Sequence, residues 1–413
     1  MLVLNEKRAN EFLEKFKLDA IISSSRENTT YLTNFLSVSH IQDKLYNVSS
    51  GSGENYLQIY GILPRGEKPV LVLPASLQKI AELDNALIDR IRAYGEPLSI
   101  SPKKQDRSSL DDQSFDSPDE ALVAAVKEFV PGKRCGIDYS DIEMKSLKAL
   151  KRQQGIQTKN ATELFRFIRA VKSPEEIRRL RNAGIVNERG MNSAFEAVRS
   201  SAKGTEIMRE YAKTIVSYGA KFDFGNVLLG IGAQGGEMVN PSQTTVKQGD
   251  PIWIDVITSL NGYSSDTGDS ASVGKPSEKQ LNIYNAMENI VEKAKDLSRA
   301  GAKPSDIYRE TLPLWDRFNL SRPQVTLAHG IGIETHEYPQ ISSGSLNENT
   351  IAIRDDFIRS SADIPLEAGM ILNFESAYLV PNWGGVHLER TMIIEKSRSS
   401  PLYDQKRSIR RRY

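Results

Sequence analysis

Two acidic residues stand in stretches of the chain that otherwise have the composition of buried β-strands. Asp255 ends the apolar run Ile252-Trp-Ile, Asp266 lies in the next strand-like segment, and Asn261-Gly262 between them is a turn signal. The acids are 11 residues apart, so an even-length loop places both on one face of a hairpin. A loop at 260–261 would set them directly opposite, and a four-residue loop would make them diagonal neighbours. Two solvated turn acids, the alternative, fit poorly beside the apolar run.

A second acidic pair lies further along the chain. Glu375 follows the run Met370-Ile-Leu-Asn-Phe, Glu389 lies in a strand-like segment, and 381–385 is the turn signal between them. A separation of 14 residues requires an odd-length loop to bring both acids to one face. Bare carboxylates this close repel each other unless they are protonated or bound to cations. The two pairs therefore indicate a cation site.

Histidine is scarce, and three of the four histidines lie near the acidic pairs. The four are His40, His329, His336 and His387. One imidazole with four carboxylates makes a hard, oxygen-rich ligand set, which suits Mn²⁺, Fe²⁺, Co²⁺ or Zn²⁺ better than a thiolate zinc site does. Five ligands with bridging carboxylates could hold two metal ions about 3.5–4 Å apart.

The first 160 residues alternate short apolar runs with helical patterns, which is typical of an α/β domain. The predicted helices span 5–17, 118–130 and 140–152, and the predicted strands span 18–23, 31–35, 59–63 and 70–74. Residues 97–117 are rich in Ser, Asp, Lys and Gln and are predicted to form a polar surface loop.

The remaining residues, 161–413, are predicted to form a second domain of α+β type with an internal repeat. The segment 173–176 has the pattern of a capping box, and 277–280 opens a second long helix in the same style. Each long helix is followed by a shorter one, at 205–218 and 305–318, and then by strands. The two series start about 100 residues apart. This order predicts a pseudo-two-fold repeat with an enclosed site between its halves.

Charge and composition exclude several classes of protein. The 54 Lys and Arg residues nearly balance the 53 Asp and Glu residues, so the chain lacks the cationic surplus of non-specific nucleic-acid binders. No apolar run approaches the roughly 20 residues of a membrane helix. The first residues do not resemble a signal peptide, and the single cysteine, Cys135, fits a reducing compartment. A cytoplasmic location is therefore expected, with no membrane partner.

One glycine motif points to a different function. Residues 230–235 match the G-x-G-x-x-G pattern of dinucleotide-binding proteins. That interpretation needs a helix to begin on the glycines, whereas 236–241, Gly-Glu-Met-Val-Asn-Pro, is a poor helix start. We interpret the motif as a flexible loop, which argues against a nucleotide-binding oxidoreductase.

The order of the candidate ligands resembles the pita-bread metallopeptidase family, which includes Xaa-Pro dipeptidase (prolidase), aminopeptidase P, methionine aminopeptidase and the metal-free creatinase. The family pattern has two aspartates on strands, a histidine in His-Gly-x-Gly, a second histidine followed by glutamate, and two further glutamates. The matching residues here are Asp255, Asp266, His329, His336, Glu375 and Glu389. Lys172-Ser-Pro-Glu-Glu resembles the usual start of the catalytic domain, and Tyr31-Leu-Thr-Asn-Phe resembles the N-terminal domain of the prolidase and creatinase branch.

The resemblance implies a creatinase-like domain at 1–160 and a pita-bread catalytic domain at 161–413, in a homodimer whose N-terminal domain approaches the partner's site. It implies two divalent metal ions, Mn, Co, Fe or Zn, held by Asp255, Asp266, His329, Glu375 and Glu389. Glu375 would also carry a proton from water to the leaving nitrogen, and His336 would hydrogen-bond the substrate carbonyl or the tetrahedral oxyanion. His40 could reach the partner's site, the alternative being a solvated loop histidine.

Three residues depart from the family pattern on the substrate side. Met238 stands where a substrate-side histidine is usual, Asp269 replaces the arginine of Thr-Arg-Thr, and His387 replaces an arginine before the last glutamate. We expect all three to contact the substrate. An imidazole cannot reproduce the bidentate grip of the lost arginine on a dipeptide. A long segment at 344–365 could cover the site.

The sequence therefore predicts a divalent-metal-dependent hydrolase of a C–N bond, acting on a short peptide or a small amide. The altered residues leave open a non-peptidase enzyme on the same fold, such as a creatinase-like amidinohydrolase or a lyase. A non-catalytic binding scaffold is a third alternative, which the intact ligand set disfavours. We interpret the basic residues at 406–412 as a mobile, solvated tail rather than a site for an anionic partner.

Overall fold

The structure is a computed structural model of the chain. It describes residues 3–36, 57–83, 88–95, 115–322, 326–346, 353–354, 357–358, 363–405 and 409–412. The chain divides into two compact units, one formed by Met1–Arg169 with Ile353–Ile358 and the other by Ala170–Ala352 with Arg359–Tyr413. The sequence sets the domain boundary at 160, so the first unit extends past it and takes in most of the helix that begins at Thr162.

The first unit is built on a mixed sheet, as expected of an α/β domain. Its helices are α1 (Glu6–Lys15), α2 (Arg26–Thr33), α3 (Ala75–Leu83), α4 (Pro118–Phe129), α5 (Met144–Arg152) and α6 (Thr162–Ala170). Its strands are β1 (Ala20–Ser23), β2 (Tyr60–Pro64), β3 (Val70–Pro74), β4 (Ile91–Tyr94), β5 (Arg134–Ile137) and β6 (Gln157–Asn160). Within the described residues, these strands form one six-stranded sheet in the order β4-β3-β2-β1-β5-β6. The predicted helices and three of the four predicted strands are confirmed, with ends shifted by up to four residues.

The fourth predicted strand, 31–35, is wrong, because this segment lies in and after helix α2. Ser25 caps that helix, its Oγ accepting a hydrogen bond from the backbone N–H of Asn28 at 3.3 Å. The buried carboxylate of Asp138 accepts from Oγ of Ser25 and from Nδ2 of Asn28, each at 2.7 Å. A carboxylate distant in sequence thus fixes the start of the helix and outweighs the β-propensity of Tyr31 and its neighbours. The predicted loop at 97–117 lies outside the described residues except for 115–117.

The rest of the chain contributes the elements that carry the acidic pairs. Its helices are α7 (Pro174–Ala197), α8 (Gly204–Ser217), α9 (Glu278–Leu297) and α10 (Pro304–Arg317). Its strands are β7 (Val227–Ile231), β8 (Pro251–Leu260), β9 (Tyr263–Val273), β10 (Ala328–Gly330), β11 (Glu337–Ile341), β14 (Ile371–Val380), β15 (Gly384–Ile394), β16 (Ser399–Pro401) and β17 (Arg410–Arg412). The two short strands between β11 and β14, β12 (Ile353–Arg354) and β13 (Phe357–Ile358), belong to the first unit. Of the helices in the described ranges, none is long and apolar enough to cross a bilayer.

The order helix, helix, strands occurs twice, as predicted. Helices α7 and α8 precede β7–β9, and α9 and α10 precede the strands from β10 to β15. The capping box at Ser173 is present, and Ser277 caps α9 by accepting from the N–H of Gln280. The strands form one sheet in the order β17-β9-β8-β7 and another in the order β11-β10-β14-β15-β16.

Each long helix covers one face of a long hairpin. Helix α7 packs against β8 and β9, and α9 packs against β14 and β15. Asn187 of α7 donates its Nδ2 to the carbonyl oxygens of Val256 at 3.0 Å and Ser265 at 3.1 Å, which ties the helix to the β8–β9 hairpin. Side chains alternate along a strand, so every second residue points away from the helix. Those residues face the region where β15 approaches β8 and β9.

The glycine-rich motif forms the end of β7 and a 3₁₀ turn at Gly232–Gly236, not the start of an α-helix. A Cβ on Gly230 would lie only 1.9 Å from Nε1 of Trp253, and this Nε1 donates to the carbonyl oxygen of Gly235 at 2.8 Å. The glycines therefore make space for a buried tryptophan. The expected flexible loop is a packed turn instead.

The C-terminal residues add a strand to the β8–β9 sheet. Strand β17 pairs in parallel with β9, with Arg410 opposite Ala271. Nε of Arg410 lies 3.0 Å from Oδ2 of Asp269, and its Nη1 donates to Oδ1 of Asn192 at 2.7 Å. The prediction of a mobile, solvated tail is wrong for Arg410, because its guanidinium pairs with a buried carboxylate.

Candidate metal centre

Asp255 and Asp266 lie on the same face of the β8–β9 hairpin. The turn between the strands consists of Asn261 and Gly262, with φ of 51° and 79°, which is the backbone of a two-residue type I′ turn. The resulting register places Asp255 opposite Gly268. The two aspartates are therefore diagonal neighbours, one of the two arrangements that their spacing allows.

Glu375 and Glu389 stand directly opposite each other on β14 and β15. The connection at 381–383 has the odd length that their spacing requires. Asn373, two residues before Glu375 on the same face, donates its Nδ2 to Oε2 of Glu389 at 2.8 Å. The hydroxyl of Thr391 in turn donates to Oδ1 of Asn373 at 3.1 Å. Asn373 thus orients Glu389, a role that the sequence analysis does not identify.

His329 approaches the acids from the short strand β10. Its Nε2 lies 3.5 Å from Oδ2 of Asp266 and 4.0 Å from Oε1 of Glu375. Its Nδ1 lies 3.0 Å from the carbonyl oxygen of Gly330, which suits an Nδ1–H donor and leaves the Nε2 lone pair for a ligand. Within the described residues, this Nε2 and Oδ1 of Asp266 are buried without a hydrogen-bond partner.

His387 enters the same cluster from β15. Its Nδ1 lies 3.8 Å from Oδ2 of Asp255, and its Nε2 lies 3.0 Å from Oε1 of Glu389 and 3.9 Å from Oε2 of Glu375. The ring is buried, with its centroid 6.2 Å from that of Trp253. The imidazole therefore lies among the carboxylates themselves.

Burial dominates the protonation of the carboxylates. Reinforced by the charge of Glu389, it raises the pKa values of Asp255 and Asp266 well above the usual range of an aspartate. Burial also raises the pKa of Glu375 to about 7, although His329 opposes this shift. These acids are stabilised as anions only if positive charge is brought to them.

Without a bound cation, a protonated His387 supplies part of that charge. Burial would raise the pKa of Glu389, but the adjacent His387 holds it below its usual value. Burial would likewise lower the pKa of His387, but the carboxylates of Asp255 and Glu389 outweigh this effect and raise it to about 10. One imidazolium can balance only one of four ionised carboxylates, so full ionisation of the cluster requires added cations, which is the electrostatic character of a cation site.

His336 lies at the exposed edge of the cluster. Its ring packs against that of His329, with the centroids 4.0 Å apart. Partial burial and the charge of His329 lower the pKa of His336 to about 4, so the ring is neutral at neutral pH. A neutral imidazole in this position can donate one hydrogen bond to a bound molecule.

The loop that carries His336 is anchored by a buried ion pair. Nζ of Lys172 binds Oε2 of Glu337, and both side chains are fully buried. Oε1 of Glu337 accepts from the backbone N–H of Glu334 at 3.1 Å. A Cβ on Gly332 would lie 2.6 Å from the Glu337 carboxylate, so this glycine lets the loop fold over it. The Lys172 motif therefore supports the site as well as marking the start of the domain.

The other residues expected to contact the substrate lie elsewhere or outside the described ranges. Asp269 is 0% exposed and lies on the opposite face of β9 from Asp266, where it pairs with Arg410, which corrects the expected substrate contact. Met238 follows the 3₁₀ turn and is 70% exposed. His40 lies outside the described residues. Of the segment 344–365, the structure describes only short pieces, which include the β12–β13 hairpin.

The donor atoms fit divalent cations. Two groups each bring three donors within 4.8 Å of one another: Asp266 with His329 and His336, and Asp255 with His387 and Glu389. Donors that lie about 2.1 Å from one ion are separated by roughly 3.0–3.4 Å. The His387–Glu389 distance of 3.0 Å and the His329–Asp266 distance of 3.5 Å are close to this spacing. Buried atoms without hydrogen-bond partners are available to fill such a shell.

Comparison with known proteins identifies the family. The sequence model of Metallopeptidase family M24 matches residues 178–396, and that of the Creatinase/Prolidase N-terminal domain matches residues 7–171. An Xaa-Pro dipeptidase from Pyrococcus horikoshii is 24% identical over 99% of this chain and 100% of the relative.

Solved structures agree on the fold. A prolidase from Pyrococcus horikoshii superposes with a TM-score of 0.71 at 21% identity, covering 98% of this chain and 99% of that one. An Xaa-Pro dipeptidase from Bacillus anthracis superposes with a TM-score of 0.74 at 17% identity, covering 98% of both chains. Because the family model spans more than half of its length, the chain belongs to Metallopeptidase family M24, with a creatinase/prolidase N-terminal domain before a pita-bread catalytic domain.

Proposed function

We propose that this metal-dependent hydrolase cleaves the C–N bond of a short peptide, as an Xaa-Pro dipeptidase does, with two divalent cations held in the acidic cluster. The proposed ligands are Asp255, Asp266, His329, Glu375 and Glu389. The observation that carries the proposal is that two acidic pairs from separate hairpins meet at the buried imidazole of His329, which lies near one acid of each pair. The relatives that are named Xaa-Pro dipeptidases support the substrate class.

Cations bound in this cluster would supply Lewis-acid activation of the scissile carbonyl and of a water molecule. Glu375 is assigned the proton transfers, taking the proton of the attacking water and delivering it to the leaving nitrogen. Its side chain is 22% exposed against 2% for Glu389, so it is the more accessible of the opposed pair.

His336 is assigned the stabilisation of the developing oxyanion. It lies exposed against His329, and its lowered pKa keeps it neutral with one N–H to donate. The buried pair of Lys172 and Glu337 holds the loop that positions it.

A second candidate is hydrolysis of a small amide that lacks a free carboxylate. The observation that favours it is His387, which stands where the family pattern has an arginine and lies among the carboxylates. Without a guanidinium at that position, the site loses a bidentate partner for the terminal carboxylate of a dipeptide. We keep peptide hydrolysis as the first proposal because the ligand set and His336 serve both reactions.

We further propose that the protein is a cytoplasmic homodimer and that manganese is among the ions it uses. The single, buried Cys135 supports a reducing compartment. The carboxylate-rich ligand set suits Mn²⁺. The dimer follows from the family resemblance alone, and light scattering of the purified protein tests it.

The test combines metal analysis with a substrate panel. The chain is stripped of metal, reloaded separately with Mn²⁺, Co²⁺ or Zn²⁺, and assayed on Xaa-Pro dipeptides, other dipeptides and N-acyl amides. We expect about two ions per chain and turnover of at least one Xaa-Pro dipeptide. Glu375→Gln should lower kcat by about 10²-fold or more, whereas Glu395→Gln, which removes an exposed glutamate paired with Arg398, should not.

Two outcomes would contradict the proposal. A chain that binds no stoichiometric metal would remove the basis for metal-dependent hydrolysis. Metal-dependent cleavage of amides without any turnover of Xaa-Pro dipeptides would favour the second candidate.

A further inference from the structure

The second group of donors in the cluster contains an imidazole that the five-ligand set does not use. Nε2 of His387 lies 3.0 Å from Oε1 of Glu389, and Nδ1 lies 3.8 Å from Oδ2 of Asp255. The side chain is 5% exposed, and within the described residues its Nε2 is buried without hydrogen-bond geometry to any partner. A buried polar nitrogen among carboxylate oxygens is available as a metal donor.

The surrounding strands hold this ring in place. The backbone N–H of His387 donates to Oγ of Ser270 at 2.9 Å, and that hydroxyl donates to the carbonyl oxygen of His387 at 2.8 Å. These two bonds fasten β15 to β9 at His387. Trp253 packs near the ring, so contacts restrain both the backbone and the imidazole of His387.

The neighbouring strand provides room for the ring. Gly268 lies opposite Asp255 on β9, and a Cβ there would lie 3.0 Å from both Cδ2 and Nε2 of His387. The same Cβ would lie 2.9 Å from Oε1 of Glu389. The glycine therefore leaves space beside Nε2 of His387 and Oε1 of Glu389.

We propose that His387 is a metal ligand in this chain, with its Nε2 completing a cation site shared with Asp255 and Glu389. This inference rests on the proposed function, since it presupposes cations in the cluster. His329, with Asp266, would then supply one imidazole, and His387 would supply a second on the other side. His387 would have no lone pair left for the substrate, so its role differs from the substrate contact expected from the sequence.

A second imidazole changes which ions the site favours. Imidazole nitrogen suits Co²⁺ and Zn²⁺ better than Mn²⁺, whereas carboxylate oxygen suits Mn²⁺. Removing His387 should therefore weaken Co²⁺ and Zn²⁺ binding by at least tenfold, the lower end of what the loss of even an outer-shell partner costs. Mn²⁺ binding should weaken less.

The experiment counts the histidines bound to cobalt in the full-length chain. Each imidazole bound to Co²⁺ gives a strongly shifted, exchangeable ring N–H signal in the proton NMR spectrum, and the chain has only four histidines to assign. We expect two such signals in the unaltered protein. His387→Gln should remove one, His329→Gln should remove the other, and His336→Gln should remove neither.

His387→Arg separates ligation from charge compensation, because it keeps a positive charge but offers no donor lone pair. A ligand role predicts that His387→Arg loses Co²⁺ affinity as His387→Gln does, with competition titration as the measurement. If His387→Arg retains full affinity, or if only the His329 signal is observed, the inference is overturned while the two-cation site survives. If no variant and no unaltered chain binds cobalt, both the inference and the proposed function fail. Circular dichroism confirms that each variant is folded.

Discussion

Gly268 lies directly opposite Asp255 in the β8–β9 hairpin, and its lack of a side chain leaves space beside His387. A methyl group at this position would meet Oε1 of Glu389 at 2.9 Å and the His387 ring at 3.0 Å. Both contacts are shorter than a relaxed carbon contact. The glycine at position 268 and the departure from the family pattern at His387 are thus spatially coupled.

Gly268→Ala should lower metal affinity by about tenfold or more, because the added methyl displaces Glu389 or His387. Competition titration with a chromophoric chelator measures the affinity. Gly225→Ala is the matched control, since the nearest atom to its added Cβ is Oδ1 of Asp223 at an ordinary 3.4 Å. The cost of Gly268→Ala should shrink in a His387→Ala background, and an undiminished cost would show that the ring is not the obstacle.

Asn373→Ala should weaken metal binding by about 10- to 100-fold, because Glu389 loses the amide that orients its Oε2. Isothermal titration with Zn²⁺ measures the change. Asn289→Ala is the control, since this exposed asparagine donates to the carbonyl oxygen of Asn285 within its own helix. Equal affinity in Asn373→Ala and the unaltered chain would mean that Glu389 is held by other contacts.

Local signals predicted the helices of the catalytic domain well. Ser173 and Ser277 cap α7 and α9 through bonds that span three residues, so sequence proximity is enough to identify them. The predicted strand at 31–35 is wrong for the opposite reason. Its helix depends on Asp138, more than 100 residues away, whose carboxylate binds Ser25 and Asn28.

The alternation of side chains along a strand predicted that each acidic pair shares one face of its hairpin, but not the distance between the two acids. The turn at Asn261 and Gly262 selects the diagonal arrangement of Asp255 and Asp266, a choice that depends on backbone φ rather than spacing. The bond from Asn373 to Glu389 and the space at Gly268 depend on distances between strands. The one sequence signal for the bond from Asn373 to Glu389 is that an asparagine stands two residues before Glu375, on the same strand face. The proposed roles of the ligands and of His336 stay predictions until metal and activity are measured.

Arg410→Gln should destabilise the fold by about 3 kcal/mol, because removing one partner of a buried pair leaves a poorly compensated charge. Asp269 is 0% exposed, and Nε of Arg410 lies 3.0 Å from its Oδ2. Urea denaturation monitored by fluorescence measures the loss. Metal stoichiometry should not change, because Asp269 faces away from Asp266.

The double variant Asp269→Asn with Arg410→Gln should recover part of the lost stability, since it also removes the buried charge that Arg410 balances. Arg398→Gln breaks an exposed pair with Glu395 and should cost less than about 1 kcal/mol. A loss for Arg410→Gln no larger than that for Arg398→Gln would show that the tail contributes little, and would restore the interpretation of a mobile end.

Glu176 should make the folded chain less stable as pH rises through neutrality. Burial raises its pKa to about 7, although Lys172 opposes the shift. An unfolded glutamate titrates near 4.3, so the folded chain holds a proton that the unfolded chain has released. The stabilisation is complete below about pH 4.3 and is lost as pH rises through about 7, with an upper limit of about 4 kcal/mol. Urea denaturation at intervals from pH 5 to pH 8 measures the slope.

Glu176→Gln should flatten that slope, because a neutral amide does not titrate. Its one oxygen can still accept from the backbone N–H of Ser173, and its NH2 can donate to the hydroxyl oxygen of Tyr263. Glu175→Gln, one residue away, is the matched control, because the pKa of Glu175 is shifted in the opposite direction. Bonds from Arg178 lower the pKa of Glu175 to about 2, so its stabilisation is present above about pH 4.3 and lost only as pH falls below that value. Between pH 5 and pH 8 the Glu175→Gln slope should match that of the unaltered chain. Parallel curves for Glu176→Gln and the unaltered chain would mean that Glu176 is ionised in the fold, held as an anion by the adjacent Lys172.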